Sequence, residues 1–367
     1  MRLPMNMNFH LSESGDLFYL LCALSGVFGY GEVLSPLAKH YISKFGTPSE
    51  EDTVLLTHFS HACRYSLERM AEKAVAAQGT PAALYEIGRG VKTDWFDKND
   101  VEAVEAAMTH FAPSSQVLYA PFKEGTEALI QELKRKSLDP RFRQATDDLF
   151  GDVGVFYGVD EGWMRHLTGG TVDIYVLTNP NGVWSLGMNR YGQNKPIVLF
   201  PFLSRPLLAL QGLTPMYVNT NILIHEKGHD IEEDARSKFA KYREIIDYDE
   251  GEEELLREAI YQSLVGGGGI ASVKRRFVRE SLFNEEMRVL RNLSLPNESD
   301  PLWGHALLQR LKAEIMKYTK EWLEAGKSIF EGDYLQKAYD ELRYLRALSK
   351  DNVHSGYVDI QTLYPAL

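Results

Sequence analysis

His225, Glu226 and His229 stand in the stretch Ile222-Leu223-Ile224-His225-Glu226-Lys227-Gly228-His229. Residues four apart lie on one face of a helix, so the two imidazoles project toward a single point. Two neutral imidazoles at that spacing bind one Zn2+, and Glu226, one residue on, reaches a water in an open coordination position. The histidines hold the metal, and the carboxylate takes the proton as that water attacks a carbonyl. The plainer alternative is a pair of structural histidines on an ordinary helix. Asn219 or Thr220 can cap such a helix, Ile222 to Ile224 anchor it in a core, and Gly228 admits a close approach by backbone or substrate. Lys227 and Asp230 place charge between and just after the two histidines.

A catalytic zinc takes a third protein ligand besides water. The acidic run Asp247 to Glu254 leads into a helical pattern whose apolar face carries Leu255, Leu256, Ala259, Ile260 and Ser263. Glu254 and Glu258 lie four apart on the opposite face. One is the candidate ligand, the other a support that hydrogen-bonds a ligand histidine, and the rest of the run reads as solvated charge.

These residues need elements to hold them. From about Leu11 to Tyr157 the pattern is mostly helical. Segments are expected over 16–27 and 30–45, over 47–77 from the Thr47-Pro48-Ser49-Glu50 start, and over 81–86, 98–111, 123–136 and 139–150. Asp139 is a natural cap there and Pro140 a natural first helical residue. Val172 to Leu177 alternates and is rich in β-branched and aromatic residues, as a strand is. Asn179-Pro180-Asn181-Gly182 signals a turn into a second strand from Trp184 to Met188, and Lys195 to Phe200 gives a third. The order predicts a small, mostly antiparallel sheet just before the motif helix, and it resembles that of zincin-type folds, in which an edge strand beside the helix holds an extended peptide. Amphipathic helices follow over 274–292, 305–325 and 333–349, then a tail.

Composition bounds the role. With 367 residues, 44% hydrophobic and 25% charged, the chain has the make-up of a globular protein. A net charge of −11 argues against nonspecific binding to nucleic acid or anionic membrane, and Lys274-Arg275-Arg276 reads as a solvated helix face. The apolar run Leu17 to Phe28 is too short to span a bilayer, and it follows Glu13 and Asp16 rather than a basic segment. A cytoplasmic location is expected. Cys22 and Cys63 fall in apolar helical patterns, which implies buried thiols and no disulfide framework. His58 and His61 lack an acidic third partner nearby and read as packing or hydrogen-bonding residues. Gly266 to Gly269 lacks the Lys-Ser/Thr of a phosphate loop and reads as a turn.

His225-Glu226-Lys227-Gly228-His229 followed by a glutamate helix resembles the gluzincin clan of zinc metallopeptidases. Glu254-Leu255-Leu256-Arg257-Glu258 is similar to the thermolysin-like pattern, which would make Glu254 the ligand and Glu258 its support. A rival alignment sets Glu258-Ala259-Ile260 on the Glu-Ala-Ile of several gluzincins and makes Glu258 the ligand. More of the chain resembles a family of uncharacterised bacterial proteins regarded as gluzincins. There a segment similar to Asp16 to Leu24 precedes helices, a short sheet, the HExxH helix and a glutamate helix, and Tyr364-Pro365 resembles that family's chain end. The resemblance implies an α+β, predominantly helical fold. It has a helical region over 1–165, a zincin-like catalytic core over 166–295, and a helical region with a tail over 296–367. It also implies Zn2+ as cofactor and a peptide or protein as substrate. The oxyanion is stabilised in such enzymes by a Tyr, His or Arg, for which His354 and Tyr364 are the tail candidates. The alternative is a non-catalytic helical binding protein that keeps a structural or vestigial metal site.

Overall fold

The computed structural model describes residues 6–26, 31–63, 98–159, 170–180, 186–189, 197–201, 250–265 and 303–351, with single positions among 222–242 and 288–298. β1 (Asn6–Leu11) leads into α1 (Glu13–Ser25), α2 (Gly31–Phe45), α3 (Glu50–Cys63), α4 (Lys98–Ser137) and α5 (Pro140–Phe156). β2 (Thr171–Val176), β3 (Leu186–Asn189) and β4 (Ile197–Phe200) follow, then α6 (Glu250–Val265), α7 (Trp303–Glu324) and α8 (Tyr334–Asp351). The fold is predominantly helical around one small sheet, as the sequence implies.

The sheet itself differs from expectation. Its order is β1-β2-β4-β3, with β1, β2 and β4 parallel and only β3 antiparallel, so the mostly antiparallel sheet is corrected to a mostly parallel one. The turn at 179–182 does not fold β2 onto β3, because β4 inserts between them. The physical reason lies in β4. Ile197-Val198-Leu199-Phe200 is an unbroken apolar run, the composition of a strand covered on both faces and hence central. Asn179 then bridges the adjacent ends of β2 and β4, its Nδ2 donating to the Pro201 carbonyl at 3.0 Å. β1 was not anticipated at all. It pairs with β2 along its whole length, from Asn6 opposite Thr171 to Leu11 opposite Val176.

Alternation across the sheet separates two cores. Phe9, Val172, Ile174, Val176, Ile197 and Leu199 enter a main core shared with residues of α5 to α8. Tyr175, Leu177 and Val198 enter a second core shared with residues of α1 to α4. α4 serves both: Ala107, Met108, Phe111 and Leu118 lie in the second core, Leu129, Ile130 and Leu133 in the main one.

α4 replaces the two helices expected over 98–111 and 123–136, and Pro113 and Pro121 lie inside it. An interior proline costs a helix about 3 kcal/mol, since it removes an N–H and crowds the carbonyl four residues back. For Pro121 that carbonyl belongs to Val117, and Lys44 of α2 donates to it at 2.7 Å. Burial along both cores offsets what remains. Elsewhere local chemistry acts as expected. Asp139 accepts from Arg141 N at 2.8 Å with Pro140 opening α5, and Ser49 and Asp52 exchange reciprocal side-chain-to-backbone bonds at the start of α3. Cys22 and Cys63 are buried thiols with no disulfide. His58 and His61 are exposed on α3 rather than packed. Among the described residues no helix is long and apolar enough to cross a membrane.

Asp16 locks the helical layer to the sheet. Its carboxylate accepts from Thr178 N at 2.7 Å, just past β2, and its own carbonyl accepts from the Tyr119 hydroxyl at 3.2 Å. Burial pushes its pKa well above the usual carboxylate range, against the opposing pull of the Thr178 hydrogen bonds. A carboxyl whose pKa is raised on folding contributes stability below its unfolded pKa and loses it as pH rises through the folded value. Asp16→Asn keeps the oxygen that accepts from Thr178 and removes the charge. Its melting temperature is therefore expected to exceed the wild type by a few degrees at pH 7 and to converge with it near pH 4. Circular-dichroism melts across that range check this; a variant less stable at pH 7 would contradict it.

Candidate functional site

Ile222, Leu223, Glu226 and Lys227 are helical, in agreement with the expected motif helix. Leu223 is buried in the main core, and Ile222 packs against that core from a half-buried position. Glu226 is 8% exposed and Lys227 4% exposed, so this charged pair points inward. His225 and His229 lie outside the described residues, as do His354 and Tyr364.

α6 supplies the acids. It starts at Glu250, inside the acidic run, so that Glu250, Glu252 and Glu253 fall in its first turn. Leu256, Ala259, Ile260 and Ser263 are buried and Leu255 half-buried, as the apolar face requires. A helix turns about 100° per residue. Glu253 therefore falls on one stripe with Ile260 and Leu264, inside the buried arc, with Arg257 beside it. Both are buried, at 4% and 7% exposure. Glu258 lies off this arc, half-buried, and its Oε1 accepts from Gln262 Nε2 at 2.7 Å. Glu254 lies on α6, and its side chain is outside the described residues.

Charged side chains are almost never fully buried unless partnered, because desolvating one costs several kcal/mol. In this protein such residues concentrate. Beyond Asp16 and Lys312, the buried charged side chains among the described residues are Glu226, Lys227, Glu253 and Arg257. All four stand on the motif helix or on α6, and none is without a partner. Two carboxylates and two cations thus enter the interior on the two segments where the sequence placed its chemistry. Leu223, Leu256, Ala259 and Ile260 belong to one core cluster, so the motif helix and α6 bury their apolar sides in the same core.

Glu253 and Arg257 are the residues sequence reasoning missed. The usable signal was spacing: Glu253, Leu256, Ile260 and Leu264 recur at helical intervals, so Glu253 sits in an apolar stripe. Among the described residues no group of three or more His, Cys, Asp or Glu side chains is arranged to hold a metal ion, and the motif histidines are not among those residues. No protein-family model matches the chain, and neither a curated protein nor a solved structure matches it.

Proposed function

We propose that this chain is a zinc-dependent metallopeptidase of the gluzincin type, cytoplasmic and acting on peptide or protein substrates. The observation that carries the reading is the inward burial of Glu226 on the motif helix together with that of Glu253 on α6. Burying a carboxylate is unfavourable without a cation nearby, and beside Lys227 and Arg257 on these two segments a metal ion would be a further cation for Glu226 and Glu253. The donor chemistry fits zinc: two histidines four residues apart in sequence, a buried carboxylate next to the first, and acids on a second helix packed into the same core.

In this reading His225 and His229 are ligands and an acid of α6 is the third. Burial favours Glu253 over the half-buried Glu258, while Glu254 remains the sequence-based candidate. Zinc, when bound, supplies a lowered water pKa and a polarised carbonyl. Glu226 takes the proton released as water attacks the peptide carbonyl and passes it to the departing amine nitrogen. Burial keeps that carboxylate from exchanging its proton with bulk solvent, and the apolar side at Ile222 and Leu223 fixes the helix on which it rides. The test is the zinc content of the purified protein and its dependence on His225 and His229.

A further inference from the structure

The acid helix is bolted to the C-terminal helices at both ends. At its first turn, Glu252 accepts from Arg346 Nη1 at 2.6 Å and from the Tyr339 hydroxyl at 3.2 Å, both on α8. Arg346 is itself held. Its Nε lies 3.6 Å from Glu298 Oε1, and its guanidinium stacks 5.8 Å above the Trp303 ring. Three turns later, Ser263 Oγ meets Thr319 Oγ1 of α7 at 3.3 Å, and Thr319 meets the Tyr334 hydroxyl at 2.6 Å. Glu252 and Ser263 are eleven residues apart, so they lie on one line of the helix. Contacts at two points on that line oppose rotation and sliding of α6. Glu253, about 100° further round, is thereby held inside the buried arc.

The connection between these two helices also contacts the chain beyond the motif. Phe330, between α7 and α8, packs its ring 5.2 Å from that of Phe239, and its carbonyl accepts from the Tyr242 hydroxyl. Lys238 Nζ lies 5.6 Å over the Phe330 ring and donates to the Gly158 carbonyl at 2.8 Å.

We propose that α7 and α8 set the geometry of the metal site, with Arg346 as the positioning residue that aims the acid-bearing turn of α6 through Glu252. This rests on the zinc reading above and extends it to residues far from the motif in sequence. A bidentate-capable guanidinium fixes a carboxylate's direction as well as its place, which an ammonium does not. Groups that hydrogen-bond a metal ligand directly are worth about 10–100-fold in metal affinity, and Arg346 acts one residue further out, through Glu252, so the low end of that range applies.

The experiment uses the full chain, stripped of metal, with Arg346→Met, Arg346→Lys and Glu252→Gln. Zinc affinity is read by chelator competition well below the melting temperature of each metal-free variant. Arg346→Met and Glu252→Gln are expected to bind zinc about tenfold or more weakly, and Arg346→Lys to recover part of the loss. With cobalt(II) in place of zinc, the visible bands of Arg346→Met should move toward those of Glu253→Gln, a change that general loosening of the fold would not produce. If Arg346→Met does not fold, Glu252→Gln and Tyr339→Phe decide, since each keeps the shape of the side chain. Unchanged zinc affinity and cobalt bands in folded clamp variants, beside a wild type that loses zinc on His225→Ala, would overturn this inference alone. A wild type that binds no zinc would overturn the functional reading and this inference with it.

Discussion

Glu226→Gln is expected to retain zinc at the wild-type stoichiometry while its turnover of peptide substrate falls by about 10²–10⁴-fold, the usual contribution of a general base. That factor corresponds to roughly 3–5 kcal/mol of lost transition-state stabilisation. The amide matches the carboxylate in size, so the interior around Leu223 and Lys227 should close over it as before. It cannot accept the proton of the attacking water or return one to the leaving nitrogen. Substrate affinity should change little, because the group acts on the proton and not on the peptide. Single-turnover rates and zinc content measured on one preparation separate these effects. Undiminished turnover with zinc in place would remove Glu226 from the mechanism.

The second large effect concerns α6. Glu253→Gln is expected to weaken zinc binding by at least about 100-fold, more than the loss of an outer support, because a neutral amide is a poorer ligand for the ion than a carboxylate. Glu258→Gln should stay within about threefold of the wild type, since its carboxylate is half-exposed and already accepts from Gln262. Glu254→Gln completes the comparison as the sequence-based candidate. Chelator competition on the three variants, with melts of the metal-free proteins to verify folding, decides among them. A large loss at 254 or 258 with none at 253 would show that the acid reaching the metal is not the one on the buried stripe.

Local chemistry was legible in the sequence where one residue decides a structure. Asp139 caps α5, Ser49 and Asp52 close the start of α3, and the apolar face of α6 is the one its periodicity gives. What was not legible depends on contacts distant along the chain. The breaker signal at Pro121 is overridden because Lys44, from another helix, takes the carbonyl that the proline frees. Sheet order is likewise nonlocal. A turn sequence after β2 suggests a hairpin, and only the doubly apolar character of β4 hints that this strand sits between β2 and β3. β1 alternates correctly, with Met7, Phe9 and Leu11 on one side, but its asparagines disguise it.

The candidate site shows the same division. The histidine spacing and Glu226 are visible because one helical turn fixes their relation. Glu253 is hidden by its neighbours, since in a run of carboxylates composition alone marks every member as solvated. Burial singles it out, and burial is set by how α7 and α8 rotate α6. The clamp from Glu252 to Arg346 spans 94 residues, a separation that no local pattern encodes.

Whether the motif histidines hold a zinc ion is decided by metal analysis of the purified chain. Elemental analysis after exhaustive dialysis is expected to give about one zinc per chain in the wild type, with the ion lost from His225→Ala and from His229→Ala while each stays folded. Folded wild-type protein that takes up no zinc at micromolar free metal, or histidine variants that keep a full equivalent, would contradict zinc binding by this pair.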